Sequence, residues 1–174
     1  MSKKLKFFAM MLTCILLSIS HLSAGENTYT MKTSGSASTA IETNWTANVS
    51  ASFDATYGAY FSCNAASKTF TATSGANITG TITKVQVTGR RNKNMSYTID
   101  CTVGGSALGS QYVHGATSGN YDTDDTFYNS TGLTGTIVVT AVCTGHASTT
   151  SKKGSFFFTS ITVTTATGST YTLV

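Results

Sequence analysis

The sequence lacks proline altogether, and it is poor in charge, because Asp, Glu, Lys and Arg make up only 10% of its 174 residues. Without proline, its turns must depend on Gly, Asn and Asp. Disordered chains carry more charge and fewer aromatic residues than this one, so we predict a folded protein. The chain also has only seven acids and three histidines. This shortage disfavours catalysis, and we predict that the protein is not an enzyme.

Residues 1–25 have the three parts of a secretory signal peptide. Three lysines precede residue 7, an apolar stretch covers residues 5–19, and Ser23–Gly25 supplies small residues for cleavage. The apolar stretch is shorter than the roughly 20 residues that span a bilayer. An uncleaved anchor and lipidation at Cys14 are therefore the weaker alternatives. We predict a secreted or cell-envelope protein, with no transmembrane segment after cleavage and a single domain over residues 26–174.

Removal of the signal peptide leaves eight basic and seven acidic residues, a formal balance of +1. Such a balance provides no basic surface for nucleic acid or for an anionic membrane, so we predict neither as a partner. The densest remaining basic run, Arg90–Lys93, is predicted to be a solvated turn. The remaining histidines, His114 and His146, lie in Gly-rich segments without a recognisable nucleophile motif.

A strict two-residue alternation runs through residues 95–103, where every odd-numbered residue is apolar or aromatic and every even-numbered residue is polar. That period is typical of a strand with one buried face. Similar short segments, separated by polar turns, follow one another along the mature chain, and none has a helical pattern. These segments are residues 28–33, 41–53, 58–63, 69–73, 81–88, 95–103, 135–143 and 155–165. An all-β sandwich or closed barrel is therefore predicted.

Four apolar residues of the last segment do not share one parity, since two lie at even and two at odd positions. A β-bulge near Thr159–Ser160 would bring all four onto the core and leave Phe157 on the outer face. There, Phe157 would be either a ligand platform or a packing partner for the neighbouring strand. The four residues are Phe156, Phe158, Ile161 and Val163.

Three segments resemble a β-sandwich module that recurs in secreted bacterial proteins. They are Ile82–Val87, Tyr97–Gly105 and Ser151–Val163, and the resemblance covers roughly residues 55–165. It implies an antiparallel β-sandwich with a jelly-roll-like arrangement of about eight strands. The motifs are strand and turn motifs, so the resemblance carries over no catalytic residue.

Three cysteines remain after signal cleavage, so at most one intramolecular disulfide can form. Cys101 and Cys143 both lie on the apolar face of a predicted strand, and we predict them as the disulfide pair. The alternative is that the cysteines are buried free thiols that pack as small hydrophobic groups.

Three of the seven acids fall within residues 121–128, which we interpret as a loop: Asp122, Asp124 and Asp125. Carboxylate oxygens in a flexible loop suit calcium, although their spacing does not match an EF-hand. We predict them as ligands of a structural calcium, with no other cofactor. The alternative is a solvated acidic turn.

Exposed aromatic rings are the expected means of binding a sugar, and the candidates are Tyr121, Tyr128 and Phe157. The alternative is that these rings pack against the protein. The leading interpretation is a secreted non-catalytic binding module, with carbohydrate as its ligand and a glycan or cell-surface molecule as its partner. The second is a structural or adhesive cell-surface subunit, in which strand edges and the odd cysteine serve self-association.

Overall fold

The structure is a computed structural model, and it describes residues 23–63, 68–92, 95–116, 119–145 and 154–167. This part of the chain is built from strands, and it holds no helix that could cross a membrane. The strands are β1 (Ser23–Thr30), β2 (Ser38–Glu42), β3 (Trp45–Asp54), β4 (Gly58–Cys63), β5 (Thr69–Ser74), β6 (Thr81–Asn92), β7 (Ser96–Val103), β8 (Ser106–Ala107), β9 (Tyr112–His114), β10 (Asn120–Leu133), β11 (Ile137–Gly145) and β12 (Gly154–Thr167). The all-β prediction is confirmed. Most of the predicted signal peptide, residues 1–22, lies outside the described residues, as does His146.

The strands form two antiparallel sheets. In the first sheet the order is β10-β6-β12-β4, and β1 pairs with the C-terminal half of β12. In the second sheet β5, β11 and β7 lie side by side, and β8 and β9 pair with β7. Strand β3 belongs to both sheets, since Trp45–Ala47 pairs with β5 and Ser52–Asp54 pairs with β4. This connectivity is that of a jelly roll, as predicted.

The core lies between the two sheets and follows the alternation in the sequence. Every odd-numbered residue of β7 is buried, and every even-numbered residue is partly exposed. Strand β11 repeats this pattern from Ile137 to Cys143. The largest fully buried aromatic side chains are Trp45, Phe61, Phe70, Tyr97, Phe127, Phe156 and Phe158. Since burial of one such side chain contributes roughly 1.5–3 kcal/mol, these rings make a large contribution to stability.

Strand β12 contains the predicted bulge. Its pairing with β6 shifts register between Phe158 and Ser160. The shift changes which parity faces inward, so that Phe156 and Phe158 are buried together with Ile161 and Val163. One extra residue therefore aligns two apolar pairs that a regular strand would separate.

Strand β10 shows that the interpretation of residues 121–128 as a loop was wrong. The segment pairs with β6 in continuous register from Asn120 to Tyr128. Its inward-facing residues include Asp125 and Phe127, both of which are buried. Because an inward position holds a carboxylate, the apolar alternation that marks the other strands is absent here.

The structure pairs Cys63 with Cys143, and the predicted partner, Cys101, is a buried free thiol. Cys101 lies opposite Val139 on β11, four residues from Cys143, which is about 13 Å along a strand and beyond disulfide reach. Cys63 and Cys143 instead have Cα atoms 6.0 Å apart and join the two sheets. Burial raises the pKa of the Cys101 thiol to about 12, so this cysteine is neither exposed nor ionised for pairing between chains.

Gly58 begins β4 with φ 85°, and a Cβ there would lie 2.6 Å from the carbonyl oxygen of Phe158. We expect Gly58→Ala to lower the free energy of unfolding by about 3 kcal/mol, because a backbone clash adds to the cost of a positive φ. Gly105→Ala is the matched control, since Gly105 has φ 83° and nothing within 4 Å of its Cβ position. The control should lose about 1 kcal/mol. Equal losses for the two variants in urea denaturation would show that the clash is relieved.

Candidate functional site

A depression of about 450 Å³ opens on the outer face of the first sheet. It lies where β6, β10 and the bulge of β12 meet the turn between β3 and β4. Its lining residues are Tyr57, Thr88, Gly89, Arg90, Asp122, Thr123, Asp124 and Thr159. They come from four separate segments of the chain, so no contiguous motif could mark this site.

Arg90 connects the charged and aromatic parts of the depression. Its Nη1 lies 2.9 Å from Asp122 Oδ1, and the two residues face each other across β6 and β10. Its guanidinium carbon lies 4.3 Å from the centroid of the Tyr57 ring, which is a cation–π contact. The Asp122 side chain is 80% exposed. Surface pairs of this kind contribute at most about 1 kcal/mol, so a ligand can compete for these groups at little cost.

Asp124 lies two residues from Asp122 on the same face of β10, about 7 Å further along the strand. It is opposite Thr88, and its Oδ1 accepts a hydrogen bond of 2.7 Å from Gln86 Nε2. Its second oxygen, Oδ2, has no hydrogen-bond partner among the described residues. The depression therefore contains an exposed carboxylate, and one of its two oxygens accepts no hydrogen bond from the described residues.

Phe157 faces outward, as predicted, but it is only 7% exposed. Its ring centroid lies 4.9 Å from that of Tyr60, its cross-strand neighbour on β4, and 5.7 Å from that of Tyr57. These rings cover Phe157. The structure thus shows the packing alternative, in which Phe157 supports Tyr57 at the edge of the depression and offers no free face to a ligand.

A second pair of titratable side chains, Asp125 of β10 and His114 of β9, lies outside the depression. His114 Nε2 lies 2.9 and 3.0 Å from the two carboxylate oxygens of Asp125, and the Asp125 side chain is 3% exposed. Burial raises the pKa of Asp125, and His114 opposes part of that effect. The imidazole also stacks on Tyr97, with ring centroids 4.6 Å apart. This pair fixes the short strand β9 to β10.

The three predicted calcium ligands do not converge. Asp122 and Asp124 lie on the outer face of the first sheet, whereas Asp125 points inward, because successive residues of a strand alternate. Across residues 23–63, 68–92, 95–116, 119–145 and 154–167, no three His, Cys, Asp or Glu side chains are grouped so that they could hold a metal ion. The described structure therefore does not assemble the predicted calcium set.

Tyr121 and Tyr128 are 47% and 61% exposed, as stacking on a ligand requires. They are seven residues apart on β10, or about 23 Å, and their parities place them on opposite faces. Tyr121 lies beside Arg91, whose guanidinium carbon is 5.5 Å from the tyrosine ring centroid. Neither tyrosine lines the depression, so the two rings cannot form one binding surface together.

Sequence reasoning missed Arg90 as a site residue because it assigned Arg90–Lys93 to a solvated turn. Strand β6 instead continues to Asn92, so Arg90 points outward, and Arg91 points inward and is 9% exposed. Arg91 Nη1 donates hydrogen bonds to the carbonyl oxygens of Met95 and Gly115. Burial alternates from Val85 through Arg91, but Gly89 and Arg91 at the inward positions interrupt the apolar pattern of the sequence, so that pattern did not mark the longer strand.

No protein-family model and no curated protein matches the chain. Solved structures that resemble it include the CBM36-1 domain of a multidomain xylanase from the hindgut metagenome of Trinervitermes trinervoides. That domain has a TM-score of 0.41 and 14% identity, over 84% of this chain and 100% of that one. A carbohydrate-binding module CBM36 in complex with calcium and xylotriose has a TM-score of 0.38 and 20% identity, over 81% and 98% of the two chains. The apo Crh5 transglycosylase has a TM-score of 0.48 and 11% identity, over 86% and 88%. At TM-scores below 0.5 and identities this low, these similarities assign no family, ligand or activity to this protein.

Proposed function

We propose that the protein is a secreted, non-catalytic carbohydrate-binding protein, and that the depression on the first sheet holds the glycan. The observation that carries this proposal is the composition of the lining. Arg90 provides hydrogen-bond donors, Asp122 and Asp124 provide acceptors, and Tyr57 provides an aromatic wall. Sugars present hydroxyl groups that both donate and accept, together with apolar C–H faces, so this combination suits them.

The position of the depression on paired strands also supports binding. Strands β6 and β10 keep one register through the whole polar lining, and the bulge of β12 lies beside them. Groups held by a sheet lose little conformational entropy when a ligand arrives. A rigid, open and polar surface of this kind favours recognition of an extended chain.

The same groups argue against glycoside hydrolysis. A glycosidase needs one carboxyl group whose apolar, buried setting keeps it protonated. Asp122 is 80% exposed and paired with a cation. Asp124 is also exposed, and its described partner is an amide. Neither carboxylate lies in the setting that a general acid requires.

A glycan array on the protein, with and without calcium, tests the proposal. We expect at least one glycan to bind, and Asp122→Ala to weaken its binding about tenfold, because a charged hydrogen bond is lost. Glu26→Ala is the matched control, since Glu26 is an exposed carboxylate that pairs with Lys84 of β6 at 3.0 Å, outside the depression. Titration calorimetry on both variants measures the change, and their melting temperatures show whether the fold is intact.

Tyr128→Ala distinguishes this site from the one that the sequence predicts. If Tyr128 lies outside the binding surface, its variant should retain full affinity.

An array without any bound glycan, together with oligomers that grow with concentration in light scattering, would instead support an adhesive subunit. That alternative has less support, because Cys101 is buried and β10, which ends the strand order of the first sheet, carries two exposed aspartates. Antiparallel self-pairing there would bring like charges together.

A further inference from the structure

We infer that the depression prefers glycans with ammonium groups, that is, chains of amino sugars with free amines, over neutral and acidic glycans. This inference rests on the proposed glycan site and names the class of ligand that the site selects. It follows from the balance of charge among the lining residues. Three of the eight are charged, namely Arg90, Asp122 and Asp124, and they leave one negative charge in excess.

The excess charge belongs to Asp124. Arg90 and Asp122 neutralise each other through the contact of 2.9 Å. Among the described residues, Asp124 has only the neutral Gln86 amide as a hydrogen-bond partner, and no cation of this part of the chain forms an ion pair with it. An ammonium group is a compact donor of three hydrogen bonds, and the unused Oδ2 of Asp124 is an acceptor that suits it.

Arg90 does not reverse this preference, because its charge is already engaged. The guanidinium contacts Asp122 on one side and lies over the Tyr57 ring at 4.3 Å. A carboxylated sugar would have to displace Asp122 and would then lie beside the second carboxylate, that of Asp124. The carboxylate of the sugar and that of Asp124 would repel each other, so the residue that attracts amines also weakens the binding of acidic glycans.

Titration calorimetry with three oligosaccharides of equal length tests the inference: a hexamer of glucosamine, its fully N-acetylated form, and a hexamer of galacturonic acid. At mildly acidic pH and low ionic strength, we expect the amine form to bind about fivefold more tightly than the acetylated form. That ratio corresponds to a pair of opposite charges about 4 Å apart in water. The acidic hexamer should bind more weakly than the neutral one. Salt near 1 M, where the screening length is about 3 Å, should remove the preference.

Asp124→Asn should reduce the ratio between the affinities for the amine and acetylated hexamers to about one, because loss of the carboxylate charge weakens binding of the amine form more than binding of the acetylated form. Glu26→Gln, at an exposed carboxylate outside the depression, should keep the fivefold ratio. Equal affinity of the wild type for both hexamers would overturn this inference and leave the proposed function standing. Failure of every glycan in the array and of all three hexamers would overturn the proposed function itself. Binding of hexalysine as tight as that of the glucosamine hexamer would also overturn the inference, since charge alone would then suffice.

Discussion

Replacing Cys63 and Cys143 together with alanine is expected to lower the free energy of unfolding by about 4 kcal/mol. The bond closes a loop with a sequence separation of 80 residues. Closing a loop of that length removes much conformational entropy from the unfolded chain. The bond also connects β4 of the first sheet to β11 of the second, so both sheets lose a link. Urea denaturation of the wild type and the double variant measures the loss.

Cys101→Ala is the control for this effect. Cys101 is buried and free, so its replacement should cost only about 1 kcal/mol of packing. Reductant should lower the free energy of unfolding of the wild type and of Cys101→Ala by the same amount. It should leave that of the Cys63→Ala/Cys143→Ala variant unchanged. Alkylation of the unfolded protein without reductant should label Cys101 and spare the other two. A wild type whose stability does not respond to reductant would contradict this disulfide.

Replacing Asp125 with alanine is expected to cost about 4 kcal/mol. The carboxylate is 3% exposed and contacts His114 through both oxygens. Removal of one partner from a buried pair leaves the other partner buried without its hydrogen bonds and its counter-charge. This costs more free energy than the intact pair contributes to stability. Asp125→Asn keeps a carbonyl acceptor for the imidazole and should cost only about 1–2 kcal/mol. Equal losses in the two variants would mean that the charge, and not the hydrogen bond, is what His114 requires.

The same residue predicts a dependence of stability on pH. Burial raises the pKa of Asp125, so above its unfolded value of about 3.9 the folded protein still holds a proton that the unfolded chain has released. The stability that Asp125 contributes is therefore full below that pH and declines as pH rises through the raised, folded-state pKa. The difference in unfolding free energy between wild type and Asp125→Asn should shrink over this range. A difference that grows with pH would show that pairing with His114 outweighs burial.

Strands whose inward positions are all apolar were predictable from the sequence. Strand β7 satisfies the alternation at every position from Tyr97 to Val103. The bulge in β12 was predictable for the same reason, because only an extra residue could bring both Phe158 and Ile161 inward. In each case the residues that the sequence pattern marks as apolar are the ones that lie in the core, because their burial removes apolar surface from water.

Strand β10 and the candidate site were not predictable in this way. The inward Asp125 is stabilised by His114, a residue on a different strand, so the polar position has no local explanation. The pairing of Cys63 with Cys143 likewise depends on how the two sheets face each other. The depression combines residues as distant in sequence as Tyr57 and Thr159. These features arise from the packing of separate segments, and no short pattern records them.

The place of β12 has a consequence for the order in which the molecule can form. This strand pairs with β1, β4 and β6, so it is central to the first sheet, yet it is the last of the described strands in chain order. Before β12 is made, the described strands of that sheet can pair only as β6 with β10 and as β3 with β4. Pairing over the long sequence separations that join these pairs through β12 is slow. A chain synthesised from its N-terminus therefore cannot complete its first sheet until β12 has been made.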